Sequence, residues 1–200
     1  MSNEEALKMV KQNGLALQYV EEQTPEICLA AVEQDSRALR FVKKQTPEIC
    51  LAAVKLHGLD LQFVRKQTPE ICMQAVKECG LALQYVEEQT PGICMEAVKQ
   101  NCYALCHVKE QTPEICLTAV RQEGNVLEYV KEQTSEICLE AVKQDGFALR
   151  YVKEQTPRIC REAVKNTGHA WQYIKDKSML EGTITETKAE SNKSAVMSVF

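Results

Sequence analysis

One phrase, Gln-Thr-Pro-Glu-Ile-Cys at Gln45–Cys50, recurs in near copies along the chain. Gln-Thr stands at 23, 45, 67, 89, 111, 133 and 155, always 22 residues apart, and a Cys follows each Thr by four. A fixed period of this length marks an array of small units that bury a shared core by stacking on one another. One unit, Thr46–Gln67, reads TPEICLAAVKLHGLDLQFVRKQ. Thr46 suits a helix N-cap, Pro47 the first helical position, and Glu48 the positive end of the helix dipole. Lys55 falls near the last turn, and Gly58 falls where a left-handed residue would end the helix. A second short helix, over about residues 59–66, then leads into the next Gln-Thr.

Apolar spacing supports two helices per unit. At about 100° per residue, Ile27, Cys28, Ala31 and Val32 share one arc, with Leu29 on its flank. The same step places Leu15, Ala16, Tyr19 and Val20 on an inward arc of the second helix, with Leu17 beside it; Arg37 replaces Leu15 one repeat on. A single long helix in a right-handed coiled coil also fits a period of twice eleven. It fails because the two apolar sets are displaced by 12 residues, and because a Pro in almost every period costs roughly 3 kcal/mol inside a helix. Ser2 and Glu5 form a capping-box pattern at the start of the array, and Arg158 and Arg161 bring polarity to its last unit. The expected fold is all-α: a solenoid of about eight 22-residue helix-turn-helix repeats over residues 2–176, on the order of 70–80 Å long at helix spacings of about 8–10 Å. Residues 177–200 lose the period and are expected to be a disordered tail with one frayed turn at Ser178–Glu181.

Composition narrows the function classes. Hydrophobic content of 44% is enough for a core, and the net charge of −4 argues against general affinity for nucleic acid or anionic membranes. Apolar runs are too short to span a bilayer, and MSNEEALKMVKQNG does not resemble a secretion signal. Ten cysteines without an export signal point to a reducing compartment, so the expected location is the cytosol, the protein's own or a host's.

The repeated cysteines, Cys28, Cys50, Cys72, Cys94, Cys116, Cys138 and Cys160, lie on the apolar arc and read as small core residues. Neighbours one repeat apart, some 9–10 Å, exceed the roughly 7 Å limit for a disulfide. Cys79, Cys102 and Cys106, with His57 and His107, are irregular; their spacing matches no strong zinc pattern, and Cys106 is the candidate exposed thiol. The repeated Gln reads as an amide that bonds neighbouring backbone and fixes the stacking, with a partner groove as the rival reading. Tyr19, Phe41, Phe63, Tyr85, Tyr129, Tyr151 and Tyr173 form a row expected in the core.

A site for a partner should lie where repeats differ on their surface. The pair closing each unit reads Glu21-Glu22, Lys43-Lys44, Arg65-Lys66 and Glu87-Glu88, so two doubly basic units stand between acidic ones. Arg40, Lys43, Lys44, Arg65 and Lys66 are the candidate partner-binding residues, with Arg37, Lys55 and Lys77 in or beside them. They suit an acidic segment or a phosphate; a merely solvated face with alternating signs is the competing reading. His57, His107 and His169 have no nucleophile and carboxylate at a meaningful spacing, and no phosphate-binding glycine loop exists, so neither catalysis nor a cofactor is expected. The final Ser-Val-Phe has the Ser-x-apolar form that PDZ domains capture by strand addition.

The stretch Gln133–Cys160, QTSEICLEAVKQDGFALRYVKEQTPRIC, resembles the repeats grouped as domain of unknown function 4116. These pair an Ala-Val-Lys helix with a Gly-x-Ala-Leu helix, as Ala141-Val142-Lys143 and Gly146-Phe147-Ala148-Leu149 do here. Cys102 for Gly, Ser135 for Pro and the Arg37 unit depart locally. The resemblance implies an intracellular setting and carries no activity. The expected function is therefore a non-enzymatic scaffold for a protein partner. The alternatives are a thiol- or metal-responsive protein using the irregular cysteines, and phosphate or RNA binding at the basic patch.

Overall fold

The computed structural model describes residues 1–180. They form two compact units, Met1–Thr118 and Ala119 onward. Among the described residues there are eight α-helices of ten residues and no strand. They are α1 (Asn3–Gln12), α2 (Pro25–Gln34), α3 (Pro47–Leu56), α4 (Pro69–Glu78), α5 (Pro91–Gln100), α6 (Pro113–Gln122), α7 (Ser135–Gln144) and α8 (Pro157–Asn166). Each is followed by a 3-10 helix of six residues, such as Gly14–Tyr19 and Gly58–Phe63. No helix among them is long and apolar enough to cross a membrane.

The helix starts follow the sequence punctuation. Thr24, Thr46, Thr68 and Thr90 in the first unit accept from the backbone N–H three residues on, as do Thr134 and Thr156 in the second. At α1 the Ser2–Glu5 capping box closes in both directions, at 3.2 and 2.8 Å. The Ser2 bonds hold the Glu5 carboxyl below its usual range. The α-helices bury the expected arc: Ile27, Cys28, Ala31 and Val32 in α2, and the matching four residues in α3, α4, α5 and α7. Fully burying one such aliphatic side chain is worth about 1.5–3 kcal/mol.

The second helix corrects the expectation. Its bonds run i to i+3, as from Ala16 N–H to the Asn13 carbonyl and from Val20 N–H to that of Leu17, both 3.0 Å. Three residues per turn instead of 3.6 rotates the buried face. Leu17, Leu39, Leu61, Leu83 and Leu105 are fully buried, as are Leu127 and Leu149 in the second unit. The aromatic row turns outward: Tyr19 is 71% exposed and Tyr129 37%, while Phe41, Phe63 and Tyr85 are half-buried. The row is therefore a surface feature and not core.

The glycine that opens six of the eight six-residue 3-10 helices, Ser36 and Cys102 standing there in the other two, also has a different purpose from the one expected. No described residue has positive φ, and the α-helices end on extended residues such as His57 at φ −150°. The constraint is contact between repeats. A Cβ on Gly80 would lie 2.3 Å from the Ala97 carbonyl oxygen of the next α-helix. In that gap Gly80 N–H donates to Gln100 Oε1 at 2.6 Å, and Gln100 Nε2 returns a bond to the Glu78 carbonyl at 3.3 Å. Gln144 repeats this with Gly124 and the Gln122 carbonyl in the second unit.

After the last pair, Lys177–Leu180 forms a 3-10 turn against α8, with Leu180 buried. The remainder of the expected tail, with the closing Ser-Val-Phe, lies outside the described residues.

Two glycine substitutions separate contact from propensity. Gly80→Ala is expected to lower the chemical-denaturation midpoint sharply, because backbone must move to admit the Cβ. Gly92→Ala, in the first turn of α5 with open space around it, is expected to raise stability by roughly 0.5–1 kcal/mol.

Candidate binding surface

The surface is organised by the repeated glutamine. Gln45 Nε2 donates to the Leu39 carbonyl of its own repeat at 3.2 Å and to the Phe63 carbonyl of the next at 2.8 Å. Its Oε1 accepts the Arg65 backbone N–H at 2.9 Å and faces the Cys50 thiol at 3.8 Å. Gln23 and Gln89 make the same four contacts in the first unit, and Gln133 and Gln155 in the second. A primary amide has two donors and a two-fold acceptor, so every valence is used. Replacing it by an apolar group would leave a buried donor or acceptor unpartnered, at about 1–3 kcal/mol each. The glutamine row is structural, and the six-residue phrase is one device: amide clamp, Thr cap, Pro start, dipole acid, Ile anchor and thiol.

The basic pairs sit on this clamp. Lys43 N–H is a clamp donor, and its Nζ reaches the Glu21 carbonyl at 2.6 Å. Arg65 Nη1 reaches the Lys43 carbonyl one repeat back at 3.0 Å. Lys153 and Lys175 do the same in the second unit. The first member of each pair thus doubles as an inter-repeat contact. Lys44 and Lys66 make no hydrogen bond or ion pair among the described residues. Arg40 lies over the Phe41 ring at 4.6 Å, a cation–π arrangement. All five candidates are exposed, and none forms an ion pair with a carboxylate among the described residues. Beside them is a groove of about 430 Å³ lined by Gln45, Thr46, Pro47, Cys50, Arg65, Lys66 and Thr68. The corresponding groove at Gln133–Thr134 and Lys153–Glu154 measures about 170 Å³. Of the flanking cations, Arg37 is held at 2.7 Å by Asp35.

The cysteines divide by environment. Cys28, Cys50, Cys72, Cys94, Cys138 and Cys160 are buried, and burial pushes their thiols up from the usual value. Cys102 is buried, Cys79 half-buried and Cys106 exposed. Partial desolvation raises Cys106 too, so it is accessible without being an activated thiolate. Among the described residues no group of three or more His, Cys, Asp or Glu side chains is placed to hold a metal ion. His107 contributes its backbone carbonyl to the Gln89 clamp.

One residue that the periodicity argument passes over stands out. Asp60 is 2% exposed, and its Oδ2 has no hydrogen-bond partner among the described residues. It occupies the position of Ala16, Ala38, Ala82 and Ala104 in neighbouring units. Comparing repeats column by column, instead of seeking their common pattern, would have exposed it.

Stacked pairs of one α-helix and one 3-10 helix, with no strand among the described residues, define an all-α helical-repeat protein. The sequence profile described as Domain of unknown function (DUF4116) matches five times, at residues 4–46, 46–90, 91–134, 112–156 and 134–178. The chain belongs to this family. No curated protein and no solved structure matches it.

Thiol labelling of the native chain near neutral pH with a disulfide reagent should modify Cys106 first and Cys79 more slowly. The ladder cysteines should react only as the chain unfolds. Rapid modification of the buried ladder in native protein would contradict their assignment as packing residues.

Proposed function

We propose that the protein is a non-enzymatic scaffold in the cytosol that binds a protein partner through an acidic segment of that partner. The observation that carries this reading is the pair of doubly basic repeat ends, Lys43-Lys44 and Arg65-Lys66, exposed beside a groove and without carboxylate partners among the described residues. Two cationic ends one repeat apart, with Arg40 alongside, match an extended chain carrying carboxylates at intervals. The acidic ends Glu21-Glu22 and Glu87-Glu88 on either side limit the length of such a segment and reject basic chains. The net charge of −4 weighs against general binding to nucleic acid, which needs a broadly basic surface. Phe41 and Phe63, half-buried in the same two repeats, offer apolar contact area to the same partner.

Because Lys43 and Arg65 also hold repeats together, the test uses Arg40, Lys44 and Lys66. An Arg40→Glu, Lys44→Glu, Lys66→Glu chain is expected to keep its circular dichroism. It should lose at least tenfold in affinity for a fluorescent Glu-rich peptide, with binding to the parent chain falling as salt rises. Equal affinity of the two chains would overturn the proposal. Binding of a phosphorylated or RNA oligomer in preference to the acidic peptide would replace it by phosphate recognition.

A further inference from the structure

Repeats two and three depart from the array at several places that converge in the first unit. Leu56 stands where Gln12, Gln34 and Gln100 close their helices, and it is 56% exposed. Gln34 and Gln100 clamp a backbone N–H of the preceding unit, whereas Leu56 has no acceptor to offer. The surface beside it holds a cavity of about 670 Å³ whose lining includes Asp35, Arg37, Leu56, His57, Asp60 and Phe63. Asp60 is part of that lining although only 2% exposed, and it stands where the neighbouring repeats carry the methyl group of Ala.

The polar groups around Asp60 do not satisfy it. His57 Nδ1 is 3.8 Å from Oδ1, beyond hydrogen-bonding distance. The Arg37 guanidinium is turned to Asp35, with contacts of 3.0 and 2.7 Å to its two carboxyl oxygens. Arg37 is bonded to Asp35 and acts on Asp60 only through the attraction of their charges, so among the described residues Oδ2 of Asp60 has no hydrogen-bond donor. A buried acceptor without a donor is destabilising, and in a repeat array the remedy, Ala, is present in the adjacent copies. Retention of a locally unfavourable group in the wall of a cavity is the pattern expected of a binding site.

We infer that this cavity takes an organic cation, a guanidinium or primary ammonium on a short apolar stem. Its N–H donors complete the Asp60 carboxyl group, and its stem lies along Leu56 and Phe63. An alkylammonium or guanidinium supplies the donors that Oδ2 lacks, together with a positive charge beside the buried acid and a face for the Phe63 ring. This site is distinct from the basic row and does not rest on the proposed function.

The test is calorimetric titration of the full chain with n-butylguanidinium, using n-butanol as the neutral control. The parent chain is expected to bind the cation and not the alcohol. Asp60→Ala and Asp60→Asn should each weaken binding at least tenfold. Asp60→Ala, which installs the residue of the neighbouring repeats, should melt at a higher temperature than the parent, so loss of binding cannot be loss of fold. A peptide presenting one Arg between leucines distinguishes the sources. Binding at least tenfold tighter than n-butylguanidinium assigns the cation to a partner chain, and equal binding assigns it to a small molecule. No cation binding by the parent, or unchanged binding in Asp60→Ala, overturns the inference.

Discussion

The primary amide of the repeated glutamine is the contact on which the rest of each unit depends. A stack of helix pairs leaves backbone carbonyls and N–H groups stranded wherever one short helix gives way to the next. In the first unit, one Gln side chain collects two such carbonyls and one N–H, and joins residues of successive repeats while doing so. A residue with fewer valences, or with only acceptors, would leave part of the set unmet. The second clamp, from Gln34 or Gln100 to the preceding glycine, performs the same duty at the opposite end of the α-helix. Between the two clamps the aliphatic interior needs only short helices, which is why ten residues followed by six are enough.

This arrangement explains the monotony of the phrase and where variation survives. Gln, Thr, Ile and Cys point into bonds or core, so their columns scarcely change. The pairs that close each repeat extend into solvent from a fixed backbone, and there charge varies freely from Glu21-Glu22 to Lys43-Lys44. Even so, the first residue of a pair can be recruited to the preceding carbonyl, as Lys43 and Arg65 are. Binding chemistry and stacking chemistry therefore overlap in one residue and separate in its neighbour.

Much of the fold was legible in the sequence because its signals are local. The period, the Thr-Pro start and the Ile27, Cys28, Ala31, Val32 arc all have one meaning in an α-helix, and the coordinates agree with them. The second helix departs from the expected geometry. Six residues carry too little pattern to distinguish a step of 100° from one of 120°, and that difference moved Tyr19 outward and Leu17 to the centre. The glycines misled for another reason. Their role depends on a carbonyl 17 residues away, as Gly80 on Ala97, and no local rule reports that. Of the surface features, the charge of the basic row was visible, but not the backbone bonds of Lys43 and Arg65. Asp60 was printed in plain view and hidden by its likeness to the surrounding phrase.

Amide hydrogen exchange reads the glutamine clamp at a single backbone N–H. Arg65 N–H lies just beyond the 3-10 helix Gly58–Phe63, where its acceptor is the side-chain oxygen of Gln45. The account predicts strong protection of this amide in the native chain, approaching that of the α3 interior. It also predicts selective loss of that protection in a Gln45→Ala chain whose α3 amides remain slow. Exchange of Arg65 N–H at the rate of an open loop in the native chain, or protection that survives Gln45→Ala, would contradict it.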